Sequence, residues 1–152
     1  MKFAFLASAL AALAGCATPA PVSVPDEALN PDVTPQTLER TICVPAYANQ
    51  AQASATWREA LKLQMMQRSG IEATMSPYYE LDQVVPVELG GHPTHTVNLK
   101  LQEMEGEYGA KRKNVLERRL RLMVCDGKIG LREAQAEIYK DWQGAYRRYV
   151  NP

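Results

Sequence analysis

The chain has 152 residues, with 17 Lys and Arg balanced by 17 Asp and Glu, two His and three Cys. That length holds one small domain and indicates no second core, and the balanced charge gives the molecule as a whole no bias toward a polyanion. No Gly-rich phosphate loop, Ser/His/Asp set or CxxC pair appears, so no such motif points to nucleotide binding, triad hydrolysis or thiol redox chemistry.

The N-terminus opens with Lys2 and an uninterrupted run of apolar and small residues from Phe3 to Ala14. At ~1.5 Å per residue the run reaches about 18 Å, well short of the ~30 Å of a bilayer core. It therefore reads as a signal h-region and not as a membrane span. Leu13-Ala14-Gly15-Cys16 resembles the bacterial lipobox, in which small residues admit the peptidase and the cysteine thiol takes a diacylglycerol. The expectation is an exported lipoprotein anchored to the membrane through Cys16, with residues 1–15 removed. Ala17 stands where an inner-membrane retention signal would place Asp, which favours the outer membrane.

Residues 17–36 carry five prolines and almost no large apolar side chains. Such a segment reads as an extended tether, leaving residues 37–152 as the domain. Further on, Thr56-Trp57-Arg58-Glu59 has the form of a capping box, and Ala60, Leu61, Leu63 and Met66 recur at helical spacing before Ser69-Gly70. The pattern predicts a helix over about 57–68. Tyr78 to Leu89 is rich in aromatic and β-branched residues and reads as a strand broken at Pro86, followed by a turn at Gly90-Gly91. Thr96 to Leu99 is the expected returning strand, reached through a loop.

From about Leu101 the pattern turns helical. Tyr108, Val115, Leu116, Leu120, Leu122 and Met123 form an apolar stripe that stops at Asp126-Gly127. A last helix, Leu131 to Tyr149, places Ala134, Ile138, Trp142 and Tyr146 at intervals of four, so the two form a helical hairpin. The fold class is thus α+β, a strand pair covered by helices. Trp57, Trp142, Tyr146, Met65 and Met66 read as core or helix-packing groups.

With Cys16 taken by lipid, Cys43 and Cys125 remain as an even pair in an oxidising compartment. A disulfide between them would close a long loop and stabilise the domain by about 4 kcal/mol through chain entropy. The alternative is a zinc site using both cysteines with His92 and His95. Zinc sites usually show two close ligand pairs, and only His92-Pro93-Thr94-His95 is close here, which favours the disulfide. The two histidines then read as loop residues. Between Lys111 and Arg148 basic residues outnumber acidic ones, with clusters at Lys111-Arg112-Lys113 and Arg118-Arg119-Leu120-Arg121. Such a helix can meet phosphate, lean on an anionic membrane, or simply present a solvated face.

The segment Tyr79-Glu80-Leu81-Asp82-Gln83-Val84-Val85-Pro86-Val87-Glu88-Leu89-Gly90-Gly91, followed by Asn98-Leu99, resembles the HNH (ββα-metal) nucleases. More narrowly it is similar to secreted single-domain members whose motif reads Y-E-L-D-H-[LIV]-[IV]-P-L-E-L-G-G and then N-L. Thr41-Ile42-Cys43-Val44-Pro45 is similar to the opening of that domain, and Lys113-Asn114-Val115-Leu116-Glu117 to its K-D-x-[LV]-E helix. Val124-Cys125, Ala134-Gln135 and Asp141-Trp142 fall where the family has V-C, A-Q and a Trp-bearing last helix, so the resemblance covers nearly all of 41–146.

The resemblance implies a β-hairpin and helix that hold one divalent cation, Mg²⁺ or Mn²⁺, against a phosphate. A histidine on the first strand takes the proton of the attacking water. Residue by residue, Asp82 matches the metal-binding aspartate, Asn98 the central asparagine that fixes the loop, and Asn114 the helix residue completing the metal shell. The histidine position is Gln83. A carboxamide cannot act as a base near neutral pH, and losing a general base costs about 10²–10⁴-fold in rate. Lys100-Leu101 also stands where the family has Trp-Pro after N-L, and Asn114 where it often has Asp. A plainer reading of Asp82 is a hairpin aspartate bonding nearby backbone amides.

Three functions follow as expectations. The favoured one is a degenerate HNH-like lipoprotein that binds nucleic acid, another polyanion or a protein partner without cleaving. The second is an active metal-dependent HNH endonuclease, and the third a purely structural envelope lipoprotein.

Overall fold

The computed structural model describes residues 23–151, and the expected signal peptide and the expected lipidation site at Cys16 lie outside the described residues. Four α-helices surround one antiparallel hairpin: α1 Tyr47–Ala51, α2 Ala55–Arg68, β1 Tyr79–Gln83, β2 Leu99–Glu103, α3 Ala110–Cys125 and α4 Leu131–Tyr149. The α+β class expected from the sequence is observed. Among the described residues no helix is long and apolar enough to cross a membrane.

β1 and β2 run in register from Tyr79 opposite Glu103 to Gln83 opposite Leu99. The first strand ends short of Pro86, which has no N–H to give a ladder, and Val87–Leu89 forms a 3₁₀ turn instead. That turn closes on Gly90 at φ +78°, where a Cβ would also sit 2.6 Å from Cγ1 of Val33. At Gly91 a Cβ would lie 1.8 Å from the Val85 carbonyl oxygen, so both glycines are required by close approach. The return strand lies later than the sequence suggests. Thr96–Asn98 is a 3₁₀ turn, and the strand occupies Leu99–Glu103. Leu99 and Leu101 alternate with period two, and this local pattern overrides the helical reading from Leu101. The helix begins only at Ala110, after Gly109.

α2 starts two residues earlier than expected. Ser54, not Thr56, is the N-cap, its Oγ accepting from the Trp57 N–H at 3.2 Å. Only Met66 of its expected stripe is buried, and Leu63 and Trp57 are exposed, so α2 leans on the hairpin by one edge. α3 and α4 form the helical hairpin, turning through Gly127 at φ +68°. Leu116, Leu120 and Val124 of α3 meet Leu131, Ala134, Ile138, Trp142 and Ala145 of α4 in the main core. Tyr108, Val115 and Leu122, placed on the apolar stripe by periodicity, are exposed, while Tyr146 is half-buried beneath the Arg112 guanidinium at 4.7 Å. Within α4, Asp141 leaves helical geometry (φ −160°, ψ 80°) and its Oδ1 accepts from the Gly144 N–H at 2.9 Å, capping the second half of the helix internally.

The later part of the proline-rich segment differs from an extended tether. Ala28, Leu29 and Val33 are buried, Leu29 bridges Gly91, and the Asn30 N–H donates to the Gly90 carbonyl at 2.8 Å. Composition alone misses this because three well-placed small or branched side chains are enough to dock a short segment. The folded unit therefore reaches back to Val24, which packs on the core, and does not begin at 37. The Cys43–Cys125 disulfide is formed, with Cα atoms 5.6 Å apart and 82 residues of separation, and ties this N-terminal layer to the end of α3. The zinc alternative falls with it, since both thiols are consumed.

Candidate functional site

Asp82 sits near the end of β1 with its carboxylate 4% exposed. Each of its oxygens faces an ammonium group. Oδ1 accepts from Nζ of Lys113 at 3.0 Å, and Oδ2 lies 3.5 Å from Nζ of Lys100 without a hydrogen bond of good geometry. Lys113, on the first turns of α3, has no exposure at all. Its three N–H groups are fully used, since it also donates to the Gln83 carbonyl at 2.6 Å and to Glu117 Oε1 at 2.5 Å. The spacing Lys113 to Glu117 stacks the two on one face of α3. Lys100 comes from β2 and is the direct cross-strand partner of Asp82.

Burial sets the electrostatics of this cluster. It pushes the Glu117 carboxyl up to about 7, against the Lys113 ammonium that draws it down. Burial pulls Lys113 down, but the charges and hydrogen bonds of Glu117 and Asp82 more than reverse it, leaving it above the ordinary lysine value. Lys100 is lowered by burial, with Asp82 opposing. Glu80, half-buried on the same strand, is raised by burial and by the Asp82 charge, with the Asn114 amide working the other way.

Gln83 is engaged on both ends of its amide. Its Nε2 donates to Gln52 Oε1 at 2.9 Å and to the Pro93 carbonyl at 3.4 Å. Its Oε1 accepts from Gln52 Nε2 and from the Val87 N–H, each at 3.3 Å. The side chain thus ties the residue after α1 to the loop that follows β1. Asn98 is fully buried and pins the same loop from the other side. Its Oδ1 accepts from the Val85 N–H at 2.8 Å, and its Nδ2 donates to the Val85 and His92 carbonyls at 2.8 and 2.9 Å.

The Asn114 amide meets Glu80, two residues before Asp82 on β1. It lines a neighbouring cleft of about 290 Å³ with Gln52, Arg58, Glu80, Glu88, Glu117 and Arg118. His92 and His95 are half-buried, with rings 5.7 Å apart. His92 Nδ1 accepts from the His95 N–H at 3.0 Å, and His95 Nδ1 from the Val97 N–H at 3.4 Å, so each ring is turned toward the turn it shapes. Much of the basic surface is spent internally. Lys111 pairs with Glu105 and Arg148 with Glu137, while Arg119 and Arg121 donate to the Tyr149 and Ile42 carbonyls.

The residues present do not fit a divalent cation at Asp82. Two ammonium groups already neutralise the carboxylate, and a cation approaching it would meet their charge directly. Among the described residues no group of three His, Cys, Asp or Glu could hold a metal ion. Sequence reasoning named Lys113 only as part of the helix motif and Lys100 only as a departure, and gave neither a place beside Asp82. The departure at Lys100 from the family's Trp was the available signal, once the strand register places it opposite Asp82. No family model, curated protein or solved structure matches the chain.

Proposed function

We propose that this chain is an envelope lipoprotein whose domain is an HNH-like scaffold that binds without cleaving phosphodiesters. The observation that carries the reading is the state of Asp82, whose two oxygens face Lys113 and Lys100. A nuclease of this kind needs that carboxylate free for a metal and a base beside it. Here the carboxylate is neutralised by lysines and the base position carries an amide already bonded to Gln52. Two of the departures from the HNH motif, at Gln83 and at Lys100, fall around the same aspartate, one next to it along β1 and one opposite on β2. The anchor at Cys16 is supported by the lipobox-like residues 13–16, and the outer-membrane placement by Ala17.

Reversion tests the reading. Plasmid nicking with Mg²⁺ or Mn²⁺ should stay at background for Gln83→His, because Lys100 still occupies Asp82. It should emerge for Gln83→His combined with Lys100→Trp, which frees Oδ2 of Asp82 for the cation while Lys113 holds Oδ1. A silent double variant that remains folded would remove the HNH-like scaffold from the account.

A further inference from the structure

α3 carries one acidic residue, Glu117, and it is buried, so the solvent face of the helix shows no negative charge of its own. Val115, Arg118, Arg119 and Leu122 stand on that face at i, i+3, i+4 and i+7, the spacing of one surface patch, and all four are exposed. Leu122 is 50% exposed, with both arginines one turn before it. Neither arginine is in an ion pair among the described residues, and Arg119 gives only its Nε, to the Tyr149 carbonyl. The patch continues onto the end of α4, where Arg112 lies over the Tyr146 ring and borders a cleft with Arg147. Glu107 shares that cleft. Glu80 and Glu88 lie on the other side, in the cleft that Arg118 shares with Arg58, and Glu117 there is held by Lys113. Five guanidiniums thus meet three carboxylates free of lysine, which leaves the face positive.

Aliphatic side chains set among guanidiniums suit a surface that offers phosphate and hydrocarbon together. A nucleic acid would take the arginines and leave Val115 and Leu122 in water. Position favours the same partner. Val24 packs on the core, so only residues 17–23 separate Cys16 from the fold. Fully extended they reach about 25 Å, less than the roughly 35 Å width of a domain this size. A lipid at Cys16 therefore keeps the domain within touching range of the bilayer.

We propose that the outer face of α3, with the end of α4, docks on an anionic phospholipid surface. Leu122 and Val115 enter the headgroup layer, and the arginines pair with lipid phosphates. This deepens the binding reading above by naming its polyanion, and its proximity argument rests on the anchor at Cys16.

The test is co-sedimentation of residues 17–152, which hold every described element and no lipid, with vesicles of phosphatidylcholine alone or mixed with phosphatidylglycerol. Binding should appear only with the anionic lipid and fall as salt rises. Arg118→Gln with Arg119→Gln should weaken it about tenfold or more, and Leu122→Ser alone about threefold or more, each with unchanged circular dichroism. Equal sedimentation with both vesicles, or with neither, would overturn the proposal. So would undiminished binding by the Leu122 variant, or retention of a short oligonucleotide where anionic vesicles are not bound. Intact mass of the full chain, with or without diacylglycerol, reads the anchor separately, so either reading can fail alone.

Discussion

Lys100 stands directly across the hairpin from Asp82, and its Nζ lies 3.5 Å from the carboxylate oxygen that Lys113 leaves unbonded. The aspartate is therefore held from two elements, by β2 on one side and by α3 on the other. The two contacts differ in kind. Lys113 is wholly buried and hydrogen-bonded three ways, whereas the Lys100 side chain is about one-third exposed and the pair is partly screened by solvent.

Lys113→Met should destabilise the domain by about 3–5 kcal/mol, because it takes from the buried Asp82 and Glu117 carboxyls the ammonium they share and leaves only the more distant, partly exposed Lys100 beside Asp82. Lys100→Gln should change stability by no more than about 1 kcal/mol. Urea unfolding of the two variants checks this. Adding Asp82→Asn and Glu117→Gln to Lys113→Met should recover much of the loss, and equal midpoints for the Lys113 and Lys100 variants would contradict the assignment.

Stability should fall as pH rises across neutrality. Glu117 in the folded protein titrates at about 7, above its ordinary 4.5, so the folded state keeps a proton that the unfolded chain releases. The stability this proton contributes is complete below about 4.5 and is lost as pH climbs through about 7. Glu80, also raised, acts in the same direction. Thermal melts from about pH 5 to pH 8 should show a downward trend in Tm that flattens in Glu117→Gln. Parallel curves for the two proteins would mean that Glu117 is not the source.

Breaking the Cys43–Cys125 bridge should cost about 2–5 kcal/mol, since the closed loop spans 82 residues. Denaturant midpoints with and without reductant measure it, and non-reducing peptide mapping should recover the two cysteines joined. Identical midpoints would show that the bridge adds no constraint.

Asn98→Ala should cost at least about 2 kcal/mol, because it strands the Val85 N–H and carbonyl and the His92 carbonyl in the interior. The loss should be visible as faster amide exchange across residues 84–92. Exchange unchanged in that loop would show that Asn98 is replaceable there.

Much of the fold was legible because it is periodic. α4 follows the sequence pattern from Leu131 to Tyr149, and the paired cysteines outside the lipobox join as their number suggests. The strand boundary was not legible: Leu99 and Leu101 alternate within a stretch that also satisfies helical spacing, and only pairing with β1 decides between the two. The docking of Ala28, Leu29 and Val33 was hidden for a different reason, since a proline-rich segment is judged by composition while its burial depends on where a few side chains land. At the site, Asp82 and Gln83 could be named from the motif, but the neutralisation of Asp82 needs both the strand register and the helix position. Lys113 reads as one of a basic cluster until the fold turns it inward.

An Asp82 carboxylate committed to Lys113 and Lys100 cannot serve a metal. Plasmid nicking by the unaltered protein across a titration of Mg²⁺ and Mn²⁺, run beside Asp82→Ala, measures it most directly. Both proteins should stay at the background of buffer alone at every concentration. Metal-dependent nicking by the unaltered protein that disappears in Asp82→Ala would contradict it.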